Sequence, residues 1–153
     1  MNKPISIVLA DDHALVRTTL RHVLEAEADL AVLSDVPKTM VYRLAEFMNR
    51  DAEVIPRSSI EKPPSAELRP DQRDSDSLPD YETLDAIIRA YVEEGLFVAE
   101  IVEKGYDERI VRWVVRAIDN NEYKRRQAAM GLKVTHRAFG YGRRMPVARG
   151  FDA

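Results

Sequence analysis

Residues 84–118 read LDAIIRAYVEEGLFVAEIVEKGYDERIVRWVVRAI, and the spacing of their apolar side chains decides the fold. Leu84, Ile87, Ile88, Tyr91 and Val92 form one continuous stripe at helical spacing, and Gly95 ends it. Val98, Ile101 and Val102 face inward on a short second helix, stopped by Gly105. Asp107 then caps a third helix whose apolar set is Ile110, Val111, Val114, Val115 and Ile118. The other side of that helix presents Arg109, Arg112 and Arg116, three and four residues apart. Helices of this kind cannot bury their stripes alone, so the spacing predicts a three-helix cluster over 81–94, 98–104 and 108–121.

Upstream, residues 55–84 read IPRSSIEKPPSAELRPDQRDSDSLPDYETL and hold five of the chain's eight prolines. So few apolar side chains cannot bury enough surface to order the segment, which reads as a linker. Its Lys62, Ser65, Glu67, Arg69, Asp71, Gln72, Arg73, Asp74 and Asp76 equally suit a binding loop for a phosphate or metal-bearing ligand. Further back, Val41, Leu44, Ala45 and Met48 predict a helix over 39–48 with Asn49 as its stop. Short strands are expected at Ala31–Val36, closed by Pro37, and at Glu53–Pro56. Ile5–Ala10 reads as a buried strand, Asp12 as an N-cap, and residues 14–28 as a helix. Residues 50–79 and 124–153 are expected to be irregular.

Downstream, Gly131, Gly140, Gly142 and Gly150 interrupt any helix, and basic residues alternate with Tyr123, Phe139 and Tyr141. Residues 122–153 therefore read as a basic arm. Its densest cluster, Glu122-Tyr123-Lys124-Arg125-Arg126-Gln127, could clamp phosphates, the lysine as a point charge and the arginines bidentately. A solvated basic helix end, favoured there by the helix dipole, is the plainer alternative. Charge is unevenly spread: residues 1–108 carry 12 Lys and Arg against 23 Asp and Glu, whereas residues 109–149 carry 11 against 2. An acidic body with a basic arm points to nucleic acid, nucleotide phosphates or the chain's own acidic half as the arm's partner.

A chain of 153 residues makes one domain, or one domain with an appendage. The absence of cysteine removes disulfides, zinc–thiolate sites and cysteine nucleophiles. No run approaches the ~20 apolar residues of a membrane span, and no signal pattern opens the chain, so the sequence-level expectation is a cytoplasmic protein. His13, His22 and His136 have no metal-ligand spacing, and no glycine-rich phosphate loop or nucleophile–base pair is visible. No catalytic residue and no metal ligand is therefore assigned.

Three resemblances add to this reading. Residues 1–30, with ISIVLADDHALVRTTLRHVLEAEADL, resemble the start of a response-regulator receiver domain, and Asp11 and Asp12 match its Mg²⁺-holding acidic pair. Two carboxylates alone make a poor Mg²⁺ site, and the phospho-accepting aspartate has no counterpart, so both are read chiefly as a capped turn. Residues 95–118 look like a helix-turn-helix, which together with the receiver-like opening makes the rival reading of a truncated DNA-binding response regulator. DNA is the less favoured partner, because no Asn or Gln stands near the N-terminus of the second helix.

The third resemblance covers residues 31–153. AVLSDVPKTMVYRLAEF, PPSAELRPDQRDSDSLPDYETLDAII, YVEEGLFVAEIVEKGYDE, and VVRAIDNNEYKRRQ followed by GLKVTHRAFGYGRRMP are similar, in that order, to the C-terminal part of glutamine-dependent NAD synthetases. The resemblance implies an α/β fold of the ATP-pyrophosphatase type and ATP-dependent amidation of deamido-NAD with Mg²⁺. It implies Lys124, helped by Arg125, on deamido-NAD; Lys38 and Ser65 on the ATP side; and, within the loop 56–80, a mobile region at Ser65–Asp76 that closes over the substrates. The family's S-G-G-x-D-S loop and its glutaminase cysteine are not among these residues. Phe97 and Trp113 stand where the family is more often polar, so both are expected to be exposed. The expectation is an α/β portion, mainly helical, with short N-terminal strands, a C-terminal helical cluster, a long loop and an arm. It is joined to residues 1–30 at a seam near Leu30–Ala31 and is inactive alone. Its uncovered edges invite a homo-oligomer or the remaining synthetase as partner.

Overall fold

The apolar positions spaced along residues 87–118 become the core: Ile87, Ile101, Val111, Val114 and Val115 are all exposed by 1% or less. The computed structural model describes residues 35–64, 73–74, 78–127, 131–140 and 142–147. Its helices are α1 (Lys38–Met48), α2 (Arg57–Glu61), α3 (Tyr81–Ile88), a π-helical turn (Arg89–Glu93), α4 (Val98–Glu103), α5 (Glu108–Asn120) and α6 (Glu122–Gln127). Two units are delimited, one over Val36–Asp85 and one holding Asp35 and the described residues from Ala86 onward. The expected strand at Ile5–Ala10, the helix over 14–28, and Asp11 and Asp12 lie outside the described residues.

In the unit from Ala86 onward, α4 packs against both α5 and the π-helical turn. Asp107 caps α5 as the sequence predicts, its carboxylate accepting the Arg109 and Ile110 amides at 2.8 and 3.2 Å. At α4, the Glu100 side chain reaches back 2.7 Å to the Phe97 amide and satisfies one of the free N–H groups of the first turn. The helix expected over 81–94 is α-helical only to Ile88 and then widens into the π-helical turn. That turn puts Ala90 and Val92 in the core and leaves Tyr91 half-buried, where its hydroxyl can meet a polar partner. Gly95, at φ 72°, closes the segment, with the Leu96 amide bonding back to the Ala90 carbonyl at 3.0 Å. A side chain at Gly95 would be strained by that φ and would place Cβ 2.5 Å from Arg137 Nη1.

The basic arm is more ordered than its composition suggests. Glu122–Gln127 forms α6 directly after α5, although an irregular stretch is expected from 124, and Asn121 joins the two through its amide to the Ala117 carbonyl. Beyond it, Phe139 and Arg143 form an isolated bridge, and Gly140 between them has φ 88°. The arm is also tied to Asp35, whose carboxylate accepts the Val134 amide at 3.0 Å, the Thr135 amide at 2.8 Å and the Thr135 hydroxyl.

In the Val36–Asp85 unit, Asn49 stops α1 as predicted. Its side chain then accepts the Val54 and Ile55 amides at 2.9 and 2.8 Å and donates to the Ile55 carbonyl at 2.7 Å. Those backbone groups are thereby satisfied locally, so the strand expected at Glu53–Pro56 does not form. Pro56 and Glu53 instead start α2 inside the stretch expected to be irregular, Glu53 accepting the Arg57 amide at 2.9 Å. Asp35 and Val36, the described end of the strand expected at Ala31–Val36, are not in a strand either. Among the described residues there is no strand, and the fold there is mainly helical. No described helix is long and apolar enough to cross a membrane.

Asp35 supplies a test of the arm's anchorage. Partial burial raises its pKa, but the hydrogen bonds from the Thr135 side chain and the Thr135 and Val134 backbone outweigh it, and the net shift is downward from 3.8. A carboxyl whose folded pKa lies below its unfolded value adds stability above the unfolded value, and that stability fades as pH falls through the folded one. The urea midpoint should therefore drop below about pH 4 more steeply in the native chain than in Asp35→Asn.

Candidate functional site

Two clusters carry the residues that the sequence singles out, one in each unit. In the unit from Ala86 onward the cluster is α6 and the arm around it. Glu122, Arg125 and Arg126 stand at i, i+3 and i+4 and so share one face of the helix. Glu122 is only 2% exposed. Its Oε2 accepts Arg125 Nη2 at 3.0 Å, and its Oε1 accepts Arg126 Nε at 3.1 Å. Arg125 also donates to the Ile118 carbonyl, and its guanidinium lies 4.3 Å from the Phe139 ring centroid. Burial lowers the Arg125 pKa, and the Glu122 carboxylate works against that shift. Arg126 reaches the Met145 carbonyl at 2.9 Å. Lys124 is exposed, its ammonium 6.0 Å from the Tyr123 ring centroid.

Behind α6 lies a buried ion pair. Arg143 Nη2 donates to Asp119 Oδ1 at 2.8 Å with both side chains under 10% exposed, and the Arg143 guanidinium stacks 4.4 Å from the Tyr91 ring. Tyr91 in turn donates to Asp119 Oδ2 at 3.1 Å. The side chain freed by the π-helical turn therefore joins helix core to arm. Glu122, Asp119, Arg143 and Tyr91 were given no site role from sequence. Glu122 had a local signal, its spacing to two arginines; the Asp119–Arg143 pair spans 24 residues and had none.

In the Val36–Asp85 unit, Lys38 opens α1. Its ammonium lies 5.8 Å from the ring centroids of both Tyr42 and Tyr81, within cation–π reach. The Tyr81 hydroxyl donates to Asp74 Oδ2. Burial first, then that hydrogen bond and the Asp74 charge, push the Tyr81 phenol well above its ordinary value; burial and Asp74 raise Tyr42 as well. The Thr39 amide donates to Asp85 at 2.8 Å, and the Asp74 amide to the Pro64 carbonyl at 2.9 Å. Ser65 lies outside the described residues.

The remaining expectations fall as follows. Arg109, Arg112 and Arg116 are exposed on the outer side of α5, with Arg112 paired to Glu108 at 2.8 Å. Within the arm, Glu122 meets the charge of Arg125 and Arg126, and Asp119 of α5 meets that of Arg143. Phe97 and Trp113 are exposed by 77% and 43%, as expected. Among the described residues no group of three His, Asp or Glu side chains could hold a metal.

Comparison with known proteins places this arrangement. The family model for NAD synthase matches residues 25–128, and the chain belongs to that family. Within it, the chain is similar to glutamine-dependent NAD(+) synthetases. It is 52% identical to that of Acinetobacter baylyi over 123 residues, 79% of this chain and 23% of the relative. It is 49% identical to that of Synechocystis sp. over 122 residues, 80% of this chain and 22% of the relative. It is 51% identical to that of Thermotoga maritima over 123 residues, 79% and 21% of the two chains. The chain thus spans about a fifth of the length of these relatives. A solved structure, glutamine-dependent NAD+ synthetase from Acinetobacter baumannii in complex with adenosine diphosphate, matches with TM-score 0.45 and 36% identity over 88% of this chain and 28% of that one. None of these matches supports the receiver-like reading of residues 1–30. The helix-turn-helix candidate at 95–118 falls inside the matched synthase span, so nothing favours the response-regulator alternative.

Two outcomes are expected. Asp119→Ala leaves the Arg143 guanidinium buried without its carboxylate and should cost about 3–5 kcal/mol of stability, much of it recovered in Asp119→Ala/Arg143→Met, as read by urea denaturation. In an alkaline absorbance titration, Tyr81→Phe should remove a phenol that ionises well above the ordinary tyrosine range.

Proposed function

We propose that these residues are the C-terminal, substrate-closing portion of a glutamine-dependent NAD synthetase. The observation that carries the reading is identity near one half to three such enzymes over some four-fifths of the chain, and the family match over residues 25–128 takes in the EYKRR segment. In the reaction so inferred, a carboxylate oxygen of deamido-NAD attacks the α-phosphorus of ATP and pyrophosphate leaves. Ammonia, released from glutamine, then attacks the acyl carbon and AMP leaves with the bonding electrons, giving the amide of NAD. Adenylation turns a poor leaving oxygen into a good one, and cations are needed where charge gathers on the phosphates.

Lys124, helped by Arg125, is the proposed contact to deamido-NAD. Its exposure at a helix whose neighbouring cations are already paired supports that role. Lys38 and Ser65 are the proposed contacts on the ATP side. Mg²⁺ accompanies ATP in this reading; the described residues hold no group of three His, Asp or Glu for it, and no step is drawn through it. The remaining synthetase, or a second copy of this chain, is the proposed partner, and the cytoplasm the proposed setting.

A calorimetric titration of the full chain with deamido-NAD should give measurable binding that weakens at least about tenfold in Lys124→Ala. ATP-dependent formation of NAD from deamido-NAD and ammonia should stay at the level of the Lys124→Ala control. A random DNA duplex bound with steep salt dependence, alongside a flat deamido-NAD titration, would overturn the reading in favour of a nucleic-acid protein.

A further inference from the structure

Three cations follow one another at 124–126, yet they stand in different environments. Successive residues of an α-helix are turned by about 100°, so Lys124 points away from the face shared by Glu122, Arg125 and Arg126. On that shared face a carboxylate at 2% exposure divides its two oxygens between two guanidiniums. Each guanidinium is also held elsewhere, Arg125 by Phe139 and the Ile118 carbonyl, Arg126 by the Met145 carbonyl. Lys124 has no carboxylate partner among the described residues.

We infer that Glu122 and Arg125 are positioning residues for the Lys124 contact. The buried carboxylate draws both arginines to the arm side of α6, fixes the helix in place, and leaves Lys124 as the cation offered to an anionic group of the ligand. This deepens the deamido-NAD reading and rests on it for the identity of the ligand. It also parts from a plain cationic patch in the sign of one effect. Removing the negative charge of Glu122 makes the segment more positive and would tighten anion binding to a patch; it loosens binding if the carboxylate positions the lysine.

The test uses the full chain uniformly labelled with ¹⁵N. The Arg125 Nε–H resonance should be shifted by the Phe139 ring and stay unmoved when deamido-NAD is added, while the Lys124 amide responds. Glu122→Gln should collapse that resonance to the averaged arginine position and weaken deamido-NAD binding about tenfold. Arg125→Lys, which keeps the charge, should weaken it comparably, with the double variant little worse than either single one. Amide shifts of α5 report whether each variant folds. Should Glu122→Gln unfold, Phe139→Leu decides instead, because it leaves both charges in place and should still weaken binding. Tighter binding in Glu122→Gln, an Arg125 resonance unchanged in it, or an Arg125 side chain that shifts on ligand addition would each overturn the inference. A chain that takes up no deamido-NAD would sink the ligand assignment alone. The Arg125 resonance in Glu122→Gln would then uphold or overturn the role of the carboxylate by itself.

Discussion

A carboxylate almost wholly removed from water needs cations or donors on both oxygens, and at Glu122 those come from the same short helix. That requirement organises the end of the chain. It holds α6 together, although six residues are far too few for an isolated helix to persist. It commits Arg125 and Arg126 to the arm and thereby ties residues 139 and 145 to the end of α5. Asp119 and Arg143 repeat the arrangement one turn earlier, with Tyr91 as the third member. The basic arm is therefore fastened by charge and stacking, whereas the helices before it are fastened by buried valine and isoleucine.

What was legible from sequence follows from that division. The stripe Val111, Val114, Val115, Ile118 and the cap at Asp107 announce α5, because periodicity and capping are local signals. Asn49 and Gly95 announce the ends of their helices for the same reason. The π-helical turn at Arg89–Glu93 was not legible, since one residue of extra width leaves nearly the same apolar pattern. Nor was the Asn49 bracket, in which one side-chain amide does the work of a partner strand for Val54 and Ile55. β-branched residues beside a proline suggested a strand, and a side chain six residues back decided otherwise.

Sequence can nominate candidate site residues but not their arrangement. Lys38, Lys124 and Arg125 could be marked from the motifs around them. The pair of tyrosine rings beside Lys38, and the assignment of Arg125 to Glu122, depend on which face each side chain shares. Runs of like charge look uniform in a sequence; folded onto a helix, they separate into cations that hold the protein and a cation left for something else.

Trp113 is the chain's single tryptophan, and it sits on the outer side of α5 rather than in the core. Its indole is partly exposed in the folded state, so its intrinsic fluorescence reports on the outer side of α5 rather than on the valine-lined core. The same placement makes it a responsive optical label for whatever comes to lie against that side of α5.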